Sequence, residues 1–256
     1  MALPEKILVE FCLPIYNEEK IIESNVERLI KHLRQYDSGW FWKIVLITNG
    51  CTDNSWTVAN KLTRLYPGLI SAVNFPLAGR GRALRQYYIT SQADVLAYMD
   101  IDLAVSLDNI PPLINPIINN QADLTIGSRL LHESKIERSF LRELSSQSYN
   151  FLSRLILRHH LSDLQCGFKA IRTDVFKKIS SYIQDDRWFF DTEMIAYCLH
   201  LGYCVKELPV DWSENRWNQR KSKVNLIKDS LKFIYKLIEL KIRLTKKPLN
   251  KQPVEK

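Results

Sequence analysis

Residues 95–102 read VLAYMDID. A mostly apolar run rich in Val, Leu and Tyr goes straight into Asp100, and a second carboxylate, Asp102, follows two positions later. Such a run reads as a buried strand. Side chains two apart on an extended segment point the same way, so the two carboxylates would repel unless a cation lies between them. Mg²⁺ is commonly held by one or two carboxylates together with substrate phosphates. The plainer reading is a pair of loop acids acting as caps, and the two-acid pattern by itself does not choose between them.

Outward from this strand the first 130 residues alternate between two patterns. Strand-like runs are ILVEFCLPI (7–15), WKIVLIT (42–48), ISAVNF (70–75), DVLAYMD (94–100) and DLTIGS (123–128). Between them lie helical patterns. In residues 17–36, Ile22, Val26, Leu29, Ile30 and Leu33 share one face at helical spacing, with Asn17 expected as the N-cap and Glu18 and Glu19 near the positive helix end. Residues 53–68 start on an Asp/Asn/Ser cluster and stop at Pro-Gly. This alternation implies an α/β fold with a mostly parallel, twisted sheet and helices on both faces. In open sheets of this kind ligands bind at the carboxyl ends of the strands, where Asp100 and Asp102 stand. The other strand ends carry LPIYNEE (13–19), TNGCTDNS (48–55), AGRGRALRQ (78–86) and GSR (127–129). Gly79 and Gly81 would let the backbone bend close to a ligand while Arg80 and Arg82 supply positive charge. Glycines with arginines, opposite two acids, suggest a nucleoside diphosphate and its metal.

Composition narrows the class. The chain has 256 residues, 46% hydrophobic, enough for a sizeable core. Its five cysteines form no CxxC pair and the first apolar run contains Glu10, so no export signal is read and a reducing compartment is expected. No run of about 18 uncharged apolar residues is present, so no membrane-spanning helix is expected. The net charge is +8. From Arg216 onward there are 13 Lys/Arg and 3 Asp/Glu, whereas the preceding 215 residues hold 23 and 25. A nearly neutral body with a basic tail fits a membrane-surface protein or a nucleic-acid reader. The five histidines show no metal spacing, and none is given a role.

Taken together, these residues resemble family-2 glycosyltransferases, whose fold is the nucleotide-sugar sandwich called glycosyltransferase-A. The resemblance runs in order over roughly residues 7–224. LPIYNEE, TNGCTDNS and MDIDLAV (99–105) look like the two nucleotide motifs and the metal-binding acid pair. GSRLL (127–131), SDLQCGFKAIR (162–172), RWFFDTEM (187–194) and ELPVDW (207–212), with RKSKV (220–224), look like the branch that charges a polyprenyl phosphate with a sugar, the dolichyl-phosphate glucose and mannose synthases and their bacterial relatives. The order and spacing of QCGFK and FDTE point more to the glucosyl type. The second motif usually begins with two aspartates, where this chain has Thr48 and Asn49, which leaves base preference open. The segment after Trp212 is longer than in close relatives, and the membrane-spanning segments of many members are missing.

The resemblance implies an inverting hexosyltransferase using Mg²⁺ or Mn²⁺ on Asp100 and Asp102. The donor, a UDP- or GDP-hexose, would be lined by Pro14, Tyr16, Glu18, Asn49, Asp53, Gly79, Arg80, Gly81, Arg82, Asp100 and Gln165. The polyprenyl phosphate would be met by Arg129, then Arg142 and Ser146, with Arg138 and Arg216 weaker choices. Asp191 and Glu193 stand where relatives with hydroxyl acceptors place a catalytic base; with a phosphate acceptor they would orient the sugar or an arginine. Gly167 could permit a turn near the sugar, and Trp188, Phe189 and Phe190 could border the site or belong to the core.

Three domain segments are expected: a catalytic domain over 1–223, a basic amphipathic helix over 224–247 and a disordered tail over 248–256. In the helix Ile227, Leu231, Ile234 and Ile238 share a flank continued by Phe233, Leu237, Leu240 and Leu244, with Lys228, Lys232, Lys236 and Arg243 opposite. Such a helix lies in a membrane interface or docks on the domain. The expected location is the cytoplasmic face of a membrane, as a peripheral protein. Transfer to a sugar hydroxyl in surface-polysaccharide assembly is the rival activity. A nucleic-acid module using the basic tail is a rival of another class, in which Asp100 would be dispensable; no nucleic-acid partner is expected.

Overall fold

The computed structural model describes residues 7–36, 39–137, 140–213 and 226–246, with the side chains of 137, 140–145 and 226–231 left aside. The five strand-like runs become β1 (Leu8–Ile15), β2 (Phe41–Asn49), β3 (Ile70–Phe75), β4 (Val95–Met99) and β5 (Leu124–Ser128). A short β6 (Lys135–Glu137) is followed by β7 (Phe168–Arg172), β8 (Val205–Pro209) and β9 (Asp211–Ser213). Seven strands form one sheet in the order β3-β2-β1-β4-β7-β5-β8, and β6 pairs with β9 apart from it. β1 is parallel to both β2 and β4, and β2 is parallel to β3. β7 runs antiparallel between β4 and β5, and β8 is parallel to β5. The sheet is therefore mostly parallel, with one reversed strand next to the acid pair.

Both faces of this sheet are covered, which is why its central strands are apolar at nearly every position. The two cores follow the two-residue alternation of the strands. Val9, Phe11 and Leu13 of β1 and Val95, Ala97 and Met99 of β4 pack into one core, with helix α1 (Ile22–Gln35). Cys12, Leu96 and Tyr98 point into the other, with α3 (Arg80–Thr90) and α7 (Phe190–His200), which follow α2 (Ser55–Leu65), α4 (Ile110–Ile118), α5 (Phe140–Leu157) and α6 (Thr173–Ile179) in the chain. All five apolar residues expected on one face of α1 are buried.

Asn17 is not the cap of α1. The helix begins at Ile22, and Asn17 sits in the left-handed region at φ 54°. Its side chain instead accepts from Thr52 N at 2.8 Å and donates to Thr52 Oγ1 at 3.1 Å. Ser55 Oγ accepts from Glu18 N, Asp53 accepts from Glu19 N, and Glu19 accepts from Asn54 N. The polar residues that look like helix-start signals thus zip the loop after β1 to the loop after β2.

The last helix, α8 (Leu226–Lys246), packs against α5 and α7. Leu237 and Leu240 are completely buried and Leu244 nearly so, while Tyr235, Ile238 and Ile242 are exposed. Two cations expected on the outer side turn inward: Lys236 pairs with Asp185, and Arg243 with Glu193. Among the described residues no helix is long and apolar enough to cross a membrane.

Candidate active site

β4 delivers Asp100 and Asp102 to the mouth of a cavity of about 230 Å³ at the carboxyl edge of the sheet. Past Met99 the chain turns: Leu103 N donates to Asp100 O at 3.0 Å, and Asp102 Oδ1 accepts from Ala104 N at 3.3 Å. Both aspartates line the cavity, so the two acids are neighbours in space as well as in sequence. Gly167, from the loop before β7, faces them. A Cβ there would lie 2.3 Å from Asp100 Oδ2. Glycine at 167 is thus explained by the room the Asp100 carboxylate occupies.

Arg80, the first residue of α3, reaches across to the acids. Its guanidinium is 3.4 Å from Asp100 and 3.8 Å from Asp191, and lies between the rings of Tyr98 and Trp188, at 4.9 and 5.1 Å. Burial works against its charge, but Asp100 and Asp191 hold its pKa above the usual range. Its Nε and Nη2 are buried without hydrogen-bond partners. Buried donors without acceptors are costly, and for Nη2 the Asp191 carboxylate 3.8 Å away offsets part of that cost.

Arg129, just past β5, lines the same cavity and is fixed from behind. Its Nε and Nη2 donate to the two oxygens of Asp163 at 2.7 and 3.1 Å, and its backbone N–H donates to the same carboxylate. Asp163 is fully buried. Burial alone would raise its carboxyl, but Arg129 and Lys169 bring it down to about 2. Glu207 of β8 accepts from the Ser162 and Asp163 N–H groups and so pins the loop that carries this acid. The bidentate pair leaves Arg129 one orientation.

Asp191 opens α7 and is 2% exposed. Its Oδ1 receives the Tyr98 hydroxyl and lies 3.2 Å from Lys169 Nζ, while Oδ2 is the atom nearer Arg80. Burial raises the Asp191 carboxyl to about 7, against the pull of Arg80, and lowers the equally buried Lys169 to about 7. Both shifts share one cause, removal of charge from water, and the close contact between the two groups opposes both.

The structure gathers Arg80, Asp100, Asp102, Arg129, Gln165 and Asp191 around one cavity. Other assigned residues are placed elsewhere. Asn49 donates to Ile15 O at 2.8 Å and accepts from Gly79 N at 3.0 Å, so its amide joins the end of β1 to the start of α3. Arg82 pairs with Asp186 at 3.1 Å. Gly79 and Gly81 abut the backbone of residues 185–187, so their small size serves packing against that loop. Glu193 faces away from the cavity and accepts from Gln184 N and Asp185 N, both at 2.7 Å, as well as from Arg243. Pro14, Tyr16, Glu18 and Asp53 stand at or just past the ends of β1 and β2 and do not line the cavity, with Tyr16 exposed. Ser146 Oγ is buried on α5 without a hydrogen-bond partner and does not line the cavity. Arg142 lies on α5 in the stretch whose side chains are not described, and Arg138 and Arg216 fall outside the described residues.

The site also contains residues given no role above: Tyr98, Asp163 and Lys169 beneath the cavity, and Trp212 and Phe233 at its edge. The aromatic triplet divides: Phe189 and Phe190 are core, while Trp188 is 44% exposed over Arg80.

Residues 10–180 match the family described as Glycosyl transferase family 2, and the chain belongs to it. It is 30% identical over 240 residues to the glycosyltransferase AglD of Haloferax volcanii, covering 94% of this chain and 38% of that protein. A dolichyl-phosphate beta-glucosyltransferase of Trichomonas vaginalis is 28% identical over 218 residues, 82% of this chain and 67% of that one. The enzyme of the same description from Saccharomyces cerevisiae is 26% identical, covering 93% of this chain and 75% of its own length. Among solved structures, glucosyl-3-phosphoglycerate synthase from Mycobacterium tuberculosis, in complex with Mn²⁺, UDP and glucosyl-3-phosphoglycerate, superposes with a TM-score of 0.64 at 15% identity, over 95% of this chain and 82% of that one. That likeness establishes the fold. The chain is a glycosyltransferase with the fold expected from its strand ends.

Proposed function

We propose that the chain transfers a hexose, glucose in the first instance, from a nucleotide sugar to a polyprenyl phosphate. The observation that carries this reading is the meeting of both charge signs in one cavity: Arg80 and the rigidly held Arg129 share it with the acid pair Asp100 and Asp102. The names of the Trichomonas and Saccharomyces relatives support a lipid phosphate as acceptor and glucose as the sugar. UDP-glucose is the donor to try first.

The chemistry follows from the acceptor. A phosphate monoester carries about −1.5 to −2 charge near neutrality, so its oxygen is already a nucleophile and needs no base. It needs positioning, and Arg129, oriented by Asp163, supplies a donor fork for it. The acceptor oxygen forms the bond to the anomeric carbon from the side opposite the departing diphosphate. The bond from that carbon to the diphosphate breaks, and its electron pair leaves on the diphosphate; configuration inverts. Arg80, which lines the cavity beside Asp100, offers positive charge to the diphosphate oxygens.

Asp100 and Asp102 fit a divalent cation. Both border the cavity, and position 167 leaves room for the Asp100 carboxylate. Among the described residues no group of three or more His, Cys, Asp or Glu is gathered for a metal, and two carboxylates plus a diphosphate suit Mg²⁺ or Mn²⁺. When bound, the ion would act as a Lewis acid on the leaving group.

The exposed Tyr235, Ile238 and Ile242 of α8 support peripheral attachment to a membrane, at its cytoplasmic face. A second reading, transfer to a sugar hydroxyl, rests on Asp191: a cavity carboxyl raised to about 7 is suited to general-base work. The deciding assay offers UDP-glucose, GDP-mannose and UDP-N-acetylglucosamine in turn, with a short polyprenyl phosphate. Labelled lipid from one donor supports the proposal; a product only with a sugar-alcohol acceptor defeats it.

A further inference from the structure

A second cavity, of about 710 Å³, lies where the end of α5 meets α7 and α8. It shares no lining residue with the active-site cavity. His200 closes α7 nine residues after Asp191, which at 1.5 Å per residue places the two about 13 Å apart along the helix. The floor is apolar, with Leu164, Ile195 and Leu244 buried. The charged and titratable lining has one sign: Arg158, His159, His160, His200 and Lys241, with no carboxylate. Three of the chain's five histidines, the adjacent His159 and His160 and the distant His200, meet here. None of Arg158, His160, His200 and Lys241 has an ion-pair partner among the described residues. His159 is tied through Nε2 to Ser153 Oγ at 3.1 Å. Burial, with help from Arg154, lowers it to about 4, so it stays neutral and the fixed charge comes from Arg158 and Lys241.

Arg158 ends α5 in the left-handed conformation, φ 59°, where glycine would close a helix with less strain. An arginine at such a position is explained if its side chain is used. Beyond the cavity lining, the two helices that frame it expose apolar side chains. On α5, Phe151 and Leu155 follow at i and i+4; on α8, Ile238, Lys241, Ile242 and Thr245 follow at i, i+3, i+4 and i+7. Phe151 is 59%, Leu155 66%, Ile238 48% and Ile242 46% exposed. Lys241 therefore stands on the same helical flank as Ile238 and Ile242, and α8 packs against α5.

We propose that this cavity takes the phosphate head of an anionic phospholipid, with the lipid's chains against the exposed Leu155 and Ile242 of the two helices. A soluble anion would not explain those exposed apolar side chains, and a neutral lipid surface would not explain a cavity whose charged lining is Arg158 and Lys241 with no carboxylate. The inference rests on the reading that the chain works at a membrane. It also connects the two cavities, because α8 contributes Phe233 to the active site and Lys241 to the lipid site. A lipid bound at one end of this helix would hold the other end, and with it the active-site mouth, toward the bilayer that carries the acceptor.

The test is vesicle flotation of the full chain, with phosphatidylcholine alone and with phosphatidylcholine doped with phosphatidylglycerol. Binding should require the anionic lipid. Lys241→Gln and Arg158→Gln should each weaken it about tenfold or more, the loss expected for a charge-assisted contact. Lys232→Gln, exposed on α8 outside the cavity, should cost at most about fivefold, the share of diffuse attraction. Ile242→Ser should weaken binding as well. Equal losses for Lys232→Gln and Lys241→Gln, or calorimetric binding of inorganic phosphate as tight as that of the doped vesicles, would overturn the proposal. Circular dichroism verifies that each variant is folded. Transfer to a short polyprenyl phosphate in detergent should be unchanged in Lys241→Gln. Transfer without vesicle binding sinks the lipid site alone; vesicle binding without any transfer sinks the functional reading and leaves the lipid site standing.

Discussion

A methyl group added at position 167 would land 2.3 Å from Asp100 Oδ2, 2.8 Å from its Cγ and 3.0 Å from Oδ1. Ordinary contact needs about 3.4 Å or more, so the carboxylate has to retreat by about 1 Å. A cation site tolerates ligand displacements of only about 0.2 Å, and a misplacement of about 1 Å near reacting groups can cost about 10²-fold. Gly167→Ala should therefore lower kcat/KM about a hundredfold, equivalent to about 2.7 kcal/mol. The fold should survive, since Gly167 has no positive φ and Asp100 is part-exposed at a turn, so its side chain can move. Steady-state transfer, thermal melting and calorimetric binding of UDP with and without Mn²⁺ form the assay. Binding of UDP should lose its response to Mn²⁺ while the melting temperature stays near that of the parent. In an Asp100→Asn background the same substitution should add little, because the group it displaces is already disabled. Gly167→Ala protein that turns over within about threefold of the parent would refute the reasoning, since distance sensitivity at the acid pair is its premise.

Asp191→Asn should retain near-parental turnover with a polyprenyl phosphate; a loss of about 10²-fold or more, the usual contribution of a general base, would favour a hydroxyl acceptor instead. The Asp163 carboxyl lies at about 2 in the folded chain against an ordinary 3.8, so it contributes about 2 kcal/mol that is fully present above pH about 4 and is lost as pH falls through about 2. Urea unfolding at pH 6 and pH 3 should show about half of this loss, about 1 kcal/mol, because pH 3 still lies above the folded value, and Asp163→Asn should flatten it while weakening transfer through a displaced Arg129. Glu193→Ala removes the partner of Arg243 and of two backbone N–H groups, and should cost about 3 kcal/mol in unfolding experiments. The same variant should expose α8 to protease.

The sequence made the parallel part of the sheet legible because its strands are buried on both faces and read as nearly unbroken apolar runs. Its reversed strand was not legible: residues 168–172 read FKAIR, where Lys169 and Arg172 break the apolar run, and direction is set by what lies on either side. The acid pair was readable because both members lie within one turn of the chain. The parts of the site that escaped are held by partners far apart in sequence. Arg129 depends on Asp163, 34 residues on, and Lys169 and Tyr98 converge on Asp191 from two other strands. The helix-cap reading of Asn17 failed because its side chain is spent on the loop after β2, and Asn49 and Arg82 also hold neighbouring loops, contacts that sequence spacing does not show. In the last helix, periodicity gave the apolar arc but not what covers it. Lys236 and Arg243 turn inward because Asp185 and Glu193 wait there, about 50 residues earlier in the chain.

The claim on which the account rests is that Asp100 and Asp102 would hold a divalent ion that serves as Lewis acid for the departing diphosphate. Transfer of labelled glucose from UDP-glucose to a short polyprenyl phosphate, measured with chelator and after Mn²⁺ is restored, tests it most directly. The parent chain should stop in chelator and recover with the ion, and Asp100→Asn should be inactive in both. Equal turnover with and without chelator, in the parent or in Asp100→Asn, would contradict it.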